Sequence, residues 1–118
     1  MSTQDVAKRF NELAQAGQWD LVLEELFSKD AESIEPAGAQ GMPSVKGLDK
    51  IKEKGKQWAE MIQEMHGGYT NEPQVAGNYF VCTMGIDVTM KGQPRTKIDE
   101  VAVYEVRNGK ITKEQFFY

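Results

Sequence analysis

A chain of 118 residues, 40% hydrophobic and 27% charged, carries enough apolar material for one core but not for two. Its net charge of -4 excludes the positive footprint that a nucleic-acid surface needs, and no apolar run nears the roughly 18 residues of a membrane-spanning helix. Met1-Ser2-Thr3-Gln4-Asp5 has neither the basic nor the apolar region of a signal peptide, and a single cysteine cannot form an internal disulfide, so a cytoplasmic chain with one domain over residues 1–118 is expected.

Ser2 and Asp5 stand at capping-box spacing, and Val6, Phe10, Leu13 and Ala14 recur at helical intervals until Gly17 offers a stop. A second helix is predicted from about Asp20. Trp19, Val22, Leu26 and Phe27 share one of its stripes, Glu24 and Glu25 the other, and Trp19 staples the resulting helical hairpin. The run Ala31-Glu32-Ser33-Ile34-Glu35 then reads as a short strand. Pro36 cannot donate a ladder hydrogen bond and fixes its own φ, so the strand ends there with Glu35 at its mouth, where a carboxylate can face a cavity.

Ala37 to Pro43 is rich in glycine and proline and reads as a surface loop placed to cover a pocket. Leu48, Ile51, Gly55, Trp58, Ile62 and Met65 then follow steps of three and four, giving a third helix with a buried stripe. Gly55 on that stripe costs about 1 kcal/mol relative to Ala, a cost expected to permit close approach by a neighbouring element. Lys46, Lys50, Lys52, Lys54 and Lys56 give the start of this helix a basic bias. Their default reading is a solvated face, and the functional alternative is recognition of an anionic ligand at the rim.

From His66 onward the pattern changes to strands. Gly77-Asn78, Lys91-Gly92-Gln93-Pro94 and Asn108-Gly109 divide the remainder into a four-stranded antiparallel meander, the last dipeptide being a strong hairpin signal. Its third member, about Arg95 to Arg107, puts Ile98, Glu100, Ala102, Tyr104 and Val106 on one face and Asp99, Val101, Val103 and Glu105 on the other. In the preceding strand Phe80, Cys82, Met84, Ile86, Val88 and Met90 line one face without a polar break. The expected fold is α+β: a curved antiparallel sheet with three N-terminal helices packed on its concave face, making a cone whose open end suits a small molecule.

This order of elements resembles the nuclear transport factor 2-like superfamily, which includes SnoaL-like polyketide cyclases and ketosteroid isomerase, over nearly the whole chain. The resemblance rests on Asp30-Ala31 before a strand ending in Glu35-Pro36, on Gly47 opening the third helix with Ile51 behind it, and on Asn108-Gly109-Lys110-Ile111. It implies a cone-shaped, cystatin-like roll. In the isomerase the residue before the matching proline is an aspartate acting as general base, and Glu35 falls there. The isomerase completes its site with a tyrosine and a protonated aspartate. Their matches here are Phe10, which has no hydroxyl, and Ala102 or, with the gap placed differently, Val101, so steroid isomerisation by that apparatus is not implied. Glu100, two residues before Ala102 on the same face, is the candidate replacement. The resemblance also implies a homodimer through the outer sheet face, where Val101 and Val103 stand beside Asp99 and Glu105.

Glu35 is therefore the candidate catalytic residue, a base whose desolvation would raise its pKa into a useful range, against the plainer reading of a solvated strand end. Glu100 reads either as a pocket residue or as the partner of a buried Lys, Arg or Tyr. Glu114, Phe116 and Tyr118 share the face that borders the cavity in the isomerase, with Phe116 and Tyr118 as wall. Phe10, Ala102, Tyr104, Cys82 and Met84 complete the lining, Cys82 packing as a small hydrophobe with no base beside it. Trp58 belongs to the core or the pocket edge. His66, the only histidine, is either a hydrogen-bonding pocket residue or a surface residue at a helix end. With no second His or Cys at ligand spacing no metal is expected, and glycines 38, 41, 47, 67 and 68 form no phosphate loop, so no cofactor is expected either. The function implied is binding of a small apolar carbonyl compound in the cone, with cofactor-independent isomerisation or cyclisation using Glu35, while Tyr118, Tyr104, Glu100 or His66 donates the complementary hydrogen bond. The alternative is a non-catalytic ligand-binding or protein-interaction dimer.

Overall fold

The computed structural model describes residues 1–39 and 42–118. Helix α1 spans Thr3–Gln15, and the reciprocal capping box forms, with the Asp5 amide donating to Ser2 and the Ser2 amide to Asp5. Its stripe of Val6, Ala7, Phe10, Leu13 and Ala14 is buried. Helix α2, Trp19–Leu26, runs directly into strand β1, Phe27–Ile34. Phe27, expected on the second helical stripe, is thus the first strand residue, and β1 begins four residues earlier than Ala31. A register irregularity between Phe27 and Glu32 breaks the two-residue alternation across Ser28-Lys29-Asp30, which hid that part of the strand.

A two-residue strand β2, Val45–Lys46, pairs with β1 and was not anticipated. The loop expected to cover a pocket includes Gln40 and Gly41, which lie outside the described residues. Helix α3 spans Leu48–Met61, and Ile62 and Met65, expected on its stripe, belong to strand β3, Ile62–Thr70. Two further expectations about α3 are corrected. Gly55 is exposed and a Cβ there would meet nothing within 4 Å, so no element approaches it. Lys54, read as part of a solvated basic face, is buried, because it stands three residues after Ile51 on the stripe that faces the sheet.

The strands start at Ile62, before His66. A short β4, Gln74–Ala76, shares with β3 the same neighbour, β5, Tyr79–Met90. Strand β6 spans Arg95–Arg107 and β7 spans Lys110–Phe117, so the meander runs β3-β5-β6-β7. Asn108 and Gly109, at φ 51° and 75°, make the two-residue turn whose twist matches a hairpin. β1 joins the far edge of β7 in parallel, giving a curved, unclosed seven-stranded sheet in the order β2-β1-β7-β6-β5-β3, with β4 as the seventh strand beside β5.

The inner face is ordered in rows across the strands. Ser33 lies beside Glu114, Glu114 beside Tyr104 and Tyr104 beside Phe80; one step on, Phe116, Ala102 and Cys82 are neighbours, followed by Glu100 and Met84. Phe10 of α1 closes over the first row, with ring centroids 4.8 Å from Tyr104 and 5.2 Å from Phe80. Trp19, 41% exposed, makes an edge contact with Phe10 at 5.8 Å and links the two N-terminal helices. Among the described residues no helix is long and apolar enough to cross a membrane.

Because Gly55 is helical, exposed and without neighbours, its flexibility is an unrelieved cost to the folded state. Gly55→Ala is expected to raise stability by about 0.5–1 kcal/mol, read as a higher urea midpoint at unchanged slope. A destabilised variant would show that the glycine has a packing role after all.

Candidate functional site

Strand β1 ends at Ile34, so Glu35 is the first residue beyond the ladder. Its amide, no longer engaged in the sheet, donates to Ser44 Oγ at 2.9 Å. The carboxylate turns inward. Lys54 Nζ donates to Glu35 Oε2 at 2.7 Å and Tyr118 Oη to Glu35 Oε1 at 2.6 Å, with the side chains of Glu35 and Lys54 each only 8% exposed. Lys54 donates a second hydrogen bond, to Ser33 Oγ at 2.8 Å, and Ser33 Oγ donates to Glu114 Oε1, also at 2.8 Å. Lys54 Nζ stands 5.9 Å from the centre of the Phe116 ring. Two strands, the residue that follows each of them and a helix thus converge on one connected polar cluster against the inner face of the sheet.

Burial decides the proton occupancy of this cluster. Desolvation is the main cause that pushes the Glu114 carboxyl up to about 7; the Ser33 hydrogen bond and the Lys54 charge oppose it, while Glu35 and Glu100 add repulsion. Glu100 is also pushed up to about 7, first by desolvation and then by the charge of Glu35. Tyr118 is raised by desolvation and by its hydrogen bond to Glu35, so it remains a proton donor. Beside the Glu35–Lys54 ion pair the site therefore holds, near neutral pH, two carboxyl groups that carry a proton part of the time and a phenol.

The structure brings together Glu35, Glu100, Glu114, Phe116 and Tyr118 from the sequence-derived set. Phe10, Ala102, Tyr104 and Cys82 are buried beneath them, and Met84 packs against that core. Burial, then the charge of Glu100, pushes the Cys82 thiol up to about 12, which leaves it without thiolate at neutral pH. Trp58 is half-buried on α3. His66 lies elsewhere: Nε2 is 2.8 Å from Thr89 Oγ1 and Nδ1 is 3.4 Å from Glu64, and no member of the Glu35 cluster is among its polar partners. Sequence reasoning missed Ser33 and Lys54. The available signals were alternation, which puts Ser33 on the same strand face as Glu35, and the helical step from Ile51 to Lys54.

Two open depressions, one along Gly17–Leu21 and one between Met1–Thr3 and the β6–β7 turn, include no member of the cluster. Among the described residues, no three His, Cys, Asp or Glu side chains are grouped to hold a metal ion.

A family model described as a SnoaL-like domain matches residues 1–118. A solved structure from Mesorhizobium loti, named as a candidate SnoaL-like polyketide cyclase, is 35% identical and superposes with a TM-score of 0.92 over 100% of both chains. An NTF2-like protein of unknown function from Burkholderia pseudomallei is 20% identical, with a TM-score of 0.78 over 100% of this chain and 92% of its own. A protein of unknown function with a cystatin-like fold from Xanthomonas campestris is 19% identical, with a TM-score of 0.80 over 99% and 90%. No curated protein matches the chain.

The Lys54–Glu35 pair is buried enough that losing one partner strands the other. Lys54→Met is expected to lower stability by about 3 kcal/mol in urea denaturation, and Lys54→Met/Glu35→Gln to recover at least half of that. Equal losses in the single and double variants would show that the two charges do not depend on each other.

Proposed function

Since the chain belongs to the SnoaL-like family, we propose that it binds a small carbonyl compound at the mouth of the cone and moves a proton on the carbon beside that carbonyl. The observation that carries this reading is the cluster in which Glu35 accepts from both Lys54 and Tyr118 while almost removed from solvent. A carboxylate has about four acceptor positions, so two hydrogen bonds leave room for a substrate C–H to approach. Glu35 takes the proton, and the protonated form of Glu100 faces the charge that develops on the substrate oxygen, while Tyr118, whose one hydroxyl proton is given to Glu35, holds the base in place. Isomerisation and cyclisation both begin with this step. The apolar neighbours Phe116 and Met84 suit an apolar ligand body.

A second reading is a binding module without turnover. It is favoured by the packing of Phe10, Phe80 and Tyr104, which occupies part of the inner sheet face with core side chains. Exchange chemistry separates the two readings. With cyclic ketones bearing an acidic α-hydrogen in D2O, the chain is expected to accelerate deuterium uptake, and Glu35→Gln to reduce that acceleration by about 10²- to 10⁴-fold. Full exchange by the Glu35→Gln chain would remove Glu35 as the base.

The outer sheet face supports a homodimer in this proposal. Val81, Val101 and Val103 are half-buried neighbours there, Phe117 is 49% exposed beside Val101, and Asp99 and Glu105 flank the strip. Light scattering at micromolar concentration is expected to give the mass of two chains, and Val103→Glu the mass of one. A monomer in the unaltered chain would sink the dimer.

A further inference from the structure

The proton-transfer reading leaves Glu114 unused, although it is joined to Glu35 by an unbroken line of hydrogen bonds. The line has a direction fixed by chemistry. An ammonium can only donate, so Ser33 Oγ accepts from Lys54 at 2.8 Å and turns its one proton toward Glu114 Oε1 at 2.8 Å. Ser33 is 0% exposed and Lys54 7%, so both hydroxyl and ammonium are enclosed by the groups they connect. One ammonium stands between two carboxyl groups, 2.7 Å from Glu35 on one side and one hydroxyl away from Glu114 on the other.

We propose that Glu114 is the internal proton store for Glu35, filled and emptied through Lys54 and Ser33. This rests on the reading of Glu35 as a proton acceptor. When Glu35 has taken a proton, Lys54 first passes one of its three to Ser33 Oγ as Ser33 passes its own to Glu114 Oε1, and the neutral amine so formed, its lone pair turned toward Glu35, takes the proton from Glu35. Glu35 returns to a carboxylate, Glu114 becomes a carboxylic acid, and Lys54 and Ser33 end as they began. No electron changes hands and the net charge is constant. The path matters because the Glu35 side chain, 8% exposed, has little direct access to water for shedding a proton.

The charged and titratable groups acting on Glu114 come from every surrounding element: Lys54 from α3, Glu35 beyond β1, and Glu100 and Tyr104 from β6. A carboxyl group pushed up to about 7 in that setting can both accept and return a proton at neutral pH. Loss of the Glu35 charge removes a repulsion and frees the Lys54 ammonium to serve Glu114 alone, so both effects favour the Glu114 carboxylate.

The test needs no substrate. The full chain is labelled with carboxyl-13C glutamate, Glu114 is assigned by its loss in Glu114→Gln, and its carboxyl carbon is followed by NMR from pH 4 to 9. In Glu35→Gln the midpoint of Glu114 is expected to fall by about one unit. In a Ser33→Ala background the same Glu35→Gln substitution is expected to move it by less than half as much, and Ser33→Thr is expected to restore the full response. Should the alanine chain fail to fold, Ser33→Cys supplies the same comparison with a weak hydrogen-bond link of similar size. A Glu114 midpoint indifferent to Glu35→Gln, or a response of equal size without the Ser33 hydroxyl, overturns the store. Either result is independent of the deuterium-exchange outcome that tests Glu35 as a base.

Discussion

Bringing an ammonium group out of water costs several kcal/mol, and the position of α3 depends on how Lys54 meets that cost. Glu35 supplies the opposite charge and Ser33 an acceptor, so Lys54 can lie against the sheet with 7% of its surface exposed. The arrangement constrains both sides. If α3 moved outward the ammonium would lose both partners, and if β1 shifted by one residue Ser33 and Glu35 would turn to the outer face together. The parallel pairing that sets Ser33 beside Glu114 is therefore part of the same restraint. Removing a charge from this cluster disturbs the seating of a helix as well as any chemistry at the rim.

The rows of the inner face show how a polar cluster coexists with a small core. Phe80 and Tyr104, stacked at 4.8 Å, are capped by Phe10, and this aromatic block occupies the part of the cone remote from Glu35. Moving across β7 toward β1, the same row becomes Glu114 and then Ser33, so polarity rises along the row from the middle of the sheet to its edge. Carboxyl groups at that boundary are partly desolvated by the aromatic block and partly answered by Lys54. Their raised proton affinity thus follows from packing that the core requires anyway.

Much of this was legible where period and turn chemistry agree. The capping box, the α1 stripe, the two-residue Asn108-Gly109 turn and the full extent of β6 were read from the chain because each repeats its signal in several residues. β1 was shortened because its irregular pairing with β7 does not alternate cleanly, and a parallel partner more than 80 residues away leaves no local trace. Lys54 was misread for a different reason. Its neighbours Lys50, Lys52 and Lys56 suggest a solvated face and outweigh the three-residue step from Ile51 that points this one lysine inward. Gly55 was assigned a role on the stripe that its neighbour holds, since one step of rotation separates the two positions.

By resemblance, the positions of Phe10 and Ala102 hold the tyrosine and the protonated aspartate of ketosteroid isomerase. Here those positions are apolar and buried, and Phe10 packs on Tyr104 in the floor. Polar groups stand elsewhere: Tyr118 reaches Glu35 from beyond β7, and Glu100 lies two residues before Ala102 on the same strand face. A filled floor adds core to a small domain, whose stability is limited by how much surface it can bury. The polar side chains of Glu35, Lys54, Ser33 and Tyr118 lie outside the aromatic block and are joined to one another by hydrogen bonds. Apolar side chains at positions 10 and 102 suit this block, because a carboxyl group placed there would need a partner to offset its desolvation.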